Sequence, residues 1–221
     1  MRWDEWEPFY RSILQDFGFS RERDEEAAVI LNRLLEGKWL CDDSCLSARI
    51  SPIVTVCGAA ANLGRQIELY GLEGTVLAAD NATSTLMSIG VLPDIIVTDL
   101  DGNVADQLAA NRGGSVAVVH AHGDNIDVLQ RHVPEFQGMV VGTTQSEPSG
   151  RVRCFGGFTD GDRAVILAKH FRASRIRLFG FDFENPSQKQ GKDLIIKRRK
   201  LAWAKRLIFE LSPKNIEIWI P

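Results

Sequence analysis

The residues best suited to chemistry are two aspartates, Asp99 and Asp101, in the run TDLDG. They stand two positions apart after an apolar stretch (DIIVT, 94–98) and just before Gly102, so both carboxylates can face one point. Like charges held that close repel unless a cation compensates them, and an all-oxygen site suits a hard ion such as Mg²⁺. The same residues would also serve a polar turn in which Asp99 caps a helix beginning near Asn103. Asp80 ends the preceding apolar run, 19 positions before Asp99, the length of one strand–helix–strand unit. Neighbouring strands would bring Asp80, Asp99 and Asp101 to one rim, and these three are the expected metal ligands.

Asp124 (in HAHGDN) and the pair Asp160 and Asp162 (in FTDGDR) add carboxylates after later apolar runs. Each singly could cap a helix; together they are too many at one rim for capping alone. His120 and His122 alternate around Ala121, so they share one side if the strand extends that far. They would bind phosphate, bind metal or move a proton, or else form a hydrogen-bonded structural pair. The turn from Gly58 to Gly64, including Asn62, offers backbone N–H groups and a helix start to an anion. It matches neither a dinucleotide fingerprint nor a P-loop. Thr143, Thr144 and Gln145 are neutral donors for a phosphate or a ring, or simply a polar loop. Asn81, Asn125, Thr159 and Asp182 belong to the same strand-end segments (ADNATS, HAHGDN, FTDGDR, GFDF) and count with the binding candidates.

These residues need a scaffold that gathers strand ends. Apolar runs at 53–57, 75–79, 94–98, 115–120, 138–142, 175–181 and 215–220 alternate with helix-like stretches. Several are apolar throughout, as strands covered on both faces are. The pattern predicts an α/β fold, a doubly wound, mostly parallel Rossmann-like sheet whose ligands bind beyond the carboxyl ends of its strands. Before it, segments 4–17 and 21–36 carry apolar residues at helical spacing and end at Gly18 and Gly37. They predict an N-terminal helical hairpin, so the expected organisation is a helical segment over 1–50 and a catalytic domain over 51–221. The polar stretch 143–150 is expected to be a loop. Segment 189–206 holds eight Lys/Arg and one acidic residue, with an apolar stripe through Leu194, Leu201, Leu207, Ile208 and Leu211. It predicts a long helix with a solvated basic face, or one from which Lys192, Lys197 or Arg198 reaches a triphosphate.

A 221-residue chain with 44% hydrophobic and 25% charged residues has an ordinary globular composition. The net charge of -3 gives no global pull toward nucleic acid or an anionic membrane. No apolar run reaches membrane-spanning length, and the amino terminus lacks an apolar signal core, so the expected location is the cytoplasm. Cys41 and Cys45 lack a second ligand pair for a zinc site; all four cysteines are read as structural or incidental thiols.

The stretch 78–102, AADNATSTLMSIGVLPDIIVTDLDG, resembles thiamine pyrophosphokinases, with Asp80, Pro93, Asp94, Asp99 and Asp101 matching in order and spacing. Thr98 replaces that family's leading Gly, Gly102 replaces its Ser, and HAHGDN stands where it has K-D-x-T-D. The full set AAD, PDIIVTDLDG, HAHGDN, GTTQ, GGFTDGDR and GFDF, over about residues 53–185, is more similar to the archaeal 6-hydroxymethyl-7,8-dihydropterin pyrophosphokinase family. The departure is the first turn, Gly58-Ala59-Ala60-Ala61-Asn62-Leu63, where that family's Gly-Ala-Gly-Pro-Ser-Leu is expected. The resemblance implies transfer of diphosphate from ATP to a pterin hydroxymethyl group with release of AMP, on the route to methanopterin- or folate-type carriers. It implies Mg²⁺ on Asp80, Asp99 and Asp101, Asp124 acting on the hydroxyl, and His120 and His122 at phosphates. Asp160 and Asp162 would hold a second metal or the pterin's aminopyrimidine edge. ATP and the pterin are then the expected partners, with no nucleic acid or membrane and with a homo-oligomer left open. Competing readings are a thiamine pyrophosphokinase, a glycosyltransferase like the larger flagellin-modifying proteins, and a non-catalytic MgATP-binding sensor.

Overall fold

The computed structural model describes residues 1–184, 193–210 and 216–221. Three helices come first: α1 (Trp3–Phe17), α2 (Arg21–Leu34) and α3 (Asp43–Arg49). The strand–helix alternation then runs β1 (Ile53–Cys57), α4 (Leu63–Tyr70), β2 (Thr75–Ala79), α5 (Ala82–Ser88), β3 (Ile95–Thr98), α6 (Val104–Arg112), β4 (Val116–Ala121), α7 (Ile126–His132), β5 (Val140–Thr144). It closes with β6 (Val152–Arg153), α8 (Asp160–His170), β7 (Arg175–Phe179), α9 (Leu194–Phe209) and β8 (Glu217–Trp219). All pair in one parallel sheet of order β6-β5-β4-β3-β2-β1-β7-β8. The chain walks outward from β1 to β6, then returns through α8 to place β7 on the other side of β1. The strand order reverses there, so this is the doubly wound topology.

Two interiors form because consecutive strand residues point to opposite faces. On one face Val54, Val56, Leu77, Ile95, Val97, Val116 and Val118 pack under Leu46 of α3, Val165 and Leu167 of α8 and Ile208 of α9. On the other, Ala117, Val119 and Val140 meet Ala28, Leu31 and Leu35 from α2 and its end, and Leu129 of α7. Cys57, Val76 and Ala78 there meet Leu63 of α4 and Leu86 of α5. Small residues let α2 approach: a Cβ on Gly142 would come within 2.4 Å of Leu35 Cδ1.

The two N-terminal helices follow one another as their periodicity predicts, but they divide between the layers. α2 joins the second face over β4 and β5, while Trp6, Tyr10 and Ile13 of α1 pack on Phe158, Ile166 and Leu207 outside the first. Their connection, residues 18–20, therefore passes by the carboxyl rim of the sheet.

Other expectations meet corrections. Cys41 and Cys45 are not free thiols but a disulfide. Asp42 caps α3 by accepting from Cys45 N at 2.9 Å, and this turn sets the two Cα atoms 5.4 Å apart, within bridging reach. Within the stretch expected to be a loop, β5 runs on through Thr144, and the two-residue β6 was too short to show a period. The basic segment is helical from Leu194; Lys192, Leu211 and Asn215 lie outside the described residues. Among the described residues no helix is long and apolar enough to cross a membrane.

Leu31 is fully buried between α2 and the β4–β5 face. Leu31→Ala should lower unfolding free energy by about 2–4 kcal/mol, measured by urea denaturation. A change under about 1 kcal/mol would show that α2 does not share this core.

Candidate active site

The site is built from the residues that leave β2 and β3 and enter α8. Asp80 directly follows β2 with a left-handed backbone (φ 45°), and its N–H donates to Val97 O of β3 at 2.8 Å. Its Oδ1 accepts from Thr98 Oγ1 at 3.1 Å and from Gln107 Nε2 of α6 at 2.9 Å. After β3 the chain turns sharply. Leu100 is also left-handed (φ 67°), an unfavourable conformation for a bulky residue. Thr98 Oγ1 and Asp99 Oδ1 accept the Leu100 and Asp101 N–H groups at 2.8 and 3.2 Å and hold that turn. A Cβ on Gly102 would sit 2.4 Å from Asp80 Oδ2, so a larger residue there would displace the Asp80 carboxylate.

Oxygen atoms of Asp80, Asp99 and Asp160 lie within 4.8 Å of one another. Asp160 opens α8, and Arg163, one turn on, reaches back to it at 3.2 Å. The crowding acts on the acids. Burial, then Asp101 and Asp99, push the Asp80 carboxyl up to about 6. Burial, then Asp99, push Asp160 well above the usual range despite Arg163. Burial works against Asp99 too, but the His122 hydrogen bond and charge, with Arg163, bring it down to about 2. The donor set is all oxygen, mutually repelling and close enough to share one ion, which fits a hard divalent cation. Asp101, expected as a ligand, stands more exposed beside this triad and raises Asp80 and Asp160 through its charge.

The histidines differ. His122 Nε2 lies 3.3 Å from Asp99 Oδ2, and its Nδ1 accepts from Asp124 N at 3.3 Å. His120 is buried and held far below the usual histidine range by burial, then by Arg163 and His122. Thr143 Oγ1 donates to Val119 O, so it accepts from His120 Nδ1–H at 3.1 Å. That leaves His120 Nε2 as an acceptor with no partner, and Arg163 Nε as an unpaired donor; both residues line one small cavity under the rim.

Other expected residues take supporting places. Asn125 binds Asp99 O and His120 O through Nδ2 and receives His122 N at Oδ1, fixing HAHGDN against TDLDG. Asn81 Oδ1 accepts from Asn103 N at 2.9 Å. Asp162 is turned away from Asp160: it accepts from Phe158 N, Thr159 N and Thr159 Oγ1 and caps α8. Thr144 pairs with Ser146, and the buried Gln145 side chain bridges Asp24 and Arg163. Gly58 packs on Gly180 and the Phe181 ring at the β1–β7 reversal, and Asn62 precedes α4 without a side-chain cap bond. Asp182 accepts from Glu184 N, and Asp124 is exposed at the rim.

Two further residues complete the rim, Arg163 and Asp24. Arg163 had a signal, its i+3 spacing from Asp160 at a helix start. Asp24 had one too: it occupies the apolar stripe of Ala27, Ala28 and Leu31, and there it is buried. It accepts from Tyr10 OH, Gln145 Nε2 and Gly123 N, each at 2.8 Å, which binds α1, α2, β4 and β5 into the rim.

Fold and rim together define an α/β protein with an acidic centre at its strand ends. Comparison with known proteins narrows that class. Residues 52–188 match the family model described as 6-hydroxymethylpterin diphosphokinase MptE-like. A 6-hydroxymethyl-7,8-dihydropterin pyrophosphokinase from Pyrococcus furiosus is 42% identical over 219 residues, 94% of this chain and 93% of the relative. One from Methanothermobacter thermautotrophicus is 43% identical, over 97% of this chain and 98% of the relative. The chain belongs to this family. Among solved structures, the MAf glycosyltransferase from Magnetospirillum magneticum superposes with a TM-score of 0.54 at 14% identity, over 92% of this chain and 38% of that one. That likeness shows the fold alone.

A carboxyl with a raised folded-state pKa favours folding while protonated and loses that advantage as pH rises through its range. Without added divalent cation, the protein should therefore lose stability relative to Asp80→Asn between pH 4 and 6.5, by about 2–3 kcal/mol. Denaturation of both proteins across that range checks it, and parallel stability curves would contradict it.

Proposed function

We propose that this chain is a Mg²⁺-dependent 6-hydroxymethyl-7,8-dihydropterin diphosphokinase that transfers diphosphate from ATP and releases AMP. The observation that carries the reading is the Asp80–Asp99–Asp160 triad, set at the strand ends of a chain that shares over 40% identity with the named pyrophosphokinases across nearly its full length. The hydroxyl oxygen of the pterin attacks the β-phosphorus, the bond from that phosphorus to the oxygen bridging toward the α-phosphorus breaks, and AMP leaves with that oxygen. Such a transfer needs chiefly positioning and charge neutralisation. Asp80, Asp99 and Asp160 would hold the cation, with Asp101 reaching it through water. When bound, the ion supplies charge to the phosphate oxygens and orients the triphosphate.

The chain's own residues do the rest. Arg163, anchored on Asp160 and Gln145, presents a buried cation beside the transferred group. Asp124 takes the hydroxyl proton. His122, fixed by Asp99 and Asp124 N, sets the spacing between that base and the triad. Asn125 keeps the two strand-end loops in register. The protein would work in the cytoplasm on free ATP and pterin.

Asp160→Asn should lower kcat by at least about 100-fold with a folded protein. Asp162→Asn, two positions away, should instead lower stability by about 1–2 kcal/mol with kcat reduced less than tenfold. AMP release with Mg²⁺, ATP and the pterin reads this directly, with thiamine as the control acceptor. Wild-type turnover by Asp160→Asn, or preference for thiamine, would overturn the reading.

A further inference from the structure

Beside the triad lies a second feature, a cleft between the α1–α2 connection and the loops after β4 and β5. It opens to solvent and is lined by Phe19, Asp24, Asp99, His122, Phe158 and Arg163 among others. Asp99 and His122 form the end nearest the triad, so a group projecting from a ligand in the cleft reaches the acidic centre. We propose that this cleft is the subsite for the bicyclic ring of the acceptor, and that the N-terminal helices supply its specificity. The inference rests on the diphosphokinase reading.

Three observations support it. First, aromatic rings line the cleft: Phe19 from the α1–α2 connection and Phe158 from the loop before α8, with centroids 6.3 Å apart and planes tilted by 49°. Lys200 of α9 stands over both, 5.8 and 5.6 Å from the centroids. A planar heterocycle gains from packing against such rings, face on to one and edge on to the other. Second, the opposite wall offers acceptors. Asp24 Oδ2 takes two donors but Oδ1 only Gly123 N, which leaves capacity on a carboxylate that can receive about four. A 2-amino-4-oxopyrimidine edge presents adjacent NH₂ and ring N–H donors to acceptors, whereas adenine presents one amino group. Third, charge argues against a triphosphate here. The cations Arg23, Arg163 and Lys200 are matched by Asp24, Asp99 and Asp124, so the cleft carries no net positive charge to draw a polyanion.

The N-terminal segment is joined to this wall, not merely laid near it. Arg23 Nε and Nη2 both donate to Gly123 O, at 3.2 and 2.8 Å, and Trp6 Nε1 donates to Gln145 O at 2.9 Å. Ring recognition therefore depends on residues outside 52–188, the part of the chain that the family model spans.

Equilibrium binding separates this subsite from turnover. The dissociation constants of 6-hydroxymethylpterin, read by its own fluorescence, and of ATP with Mg²⁺ are measured for the wild type, Phe19→Ala and Lys200→Met. Phe19 is half-buried and Lys200 lies on the outer helix, so at least one variant keeps the fold. Phe19→Ala should weaken pterin binding at least tenfold and Lys200→Met about threefold, with ATP binding within twofold of the wild type in both. Unchanged pterin affinity in the folded variants, a loss of ATP affinity instead, or no pterin binding by the wild type would overturn the subsite. A wild type that binds the pterin yet forms no AMP would overturn diphosphate transfer and leave the subsite standing.

Discussion

Mutual repulsion among the carboxylates of Asp80, Asp99 and Asp160 is the constraint around which the rim is arranged. Carboxylates withdrawn from water and set within 4.8 Å of each other are unfavourable on their own, and protonation or a cation must relieve them. The surrounding structure holds them there anyway. Thr98 and Gln107 grip Asp80, His122 and the turn at Leu100 fix Asp99, and Arg163 reaches back from α8 to Asp160. Left-handed backbones at Asp80 and Leu100 show that local conformational preference yields to this placement.

The position of the triad follows from the winding of the chain. The β1–β7 reversal is filled by Gly58, Gly180 and Phe181 in close contact, and Phe181 also lies against Gly161 beside Asp160. The acidic centre forms instead where β2 and β3 end beneath the start of α8. Because α8 is the crossover that returns the chain from one flank of the sheet to the other, it brings Asp160 back over strands that precede it by sixty residues or more in sequence. The N-terminal helices close the arrangement from outside. A single buried carboxylate, Asp24, links α1, α2 and the loops after β4 and β5.

Much of this was legible in the residues. All-apolar runs marked the parallel strands, and their ends marked the rim, because parallel strands send every carboxyl end the same way. Asp80 and Asp99 followed from that geometry. Asp101 and Asp160 exchanged prominence because spacing along the chain says nothing about which way a turn sends a side chain: Leu100 in the left-handed region carries Asp101 outward, and the crossover helix brings Asp160 in. Asp160 and Asp162 looked like one pair, yet a helix start separates them, one facing the rim and one capping its own backbone. Thr143, Thr144 and Gln145, legible as ligand donors or as a polar loop, each have a protein partner. Asp24 illustrates a readable signal of another kind, an acid on an apolar helix stripe that needs buried donors. The Cys41–Cys45 disulfide was not readable, since the capped turn of α3 and not the spacing brings those sulfurs together.

The most direct test of the metal-centred account is a crystal structure with Mn²⁺ and a non-hydrolysable ATP analogue, with the ion located by anomalous scattering. The account predicts one ion peak coordinated by oxygens of Asp80, Asp99 and Asp160 and by the nucleotide's phosphates. An ion bound elsewhere, with those carboxylates turned apart, would contradict it.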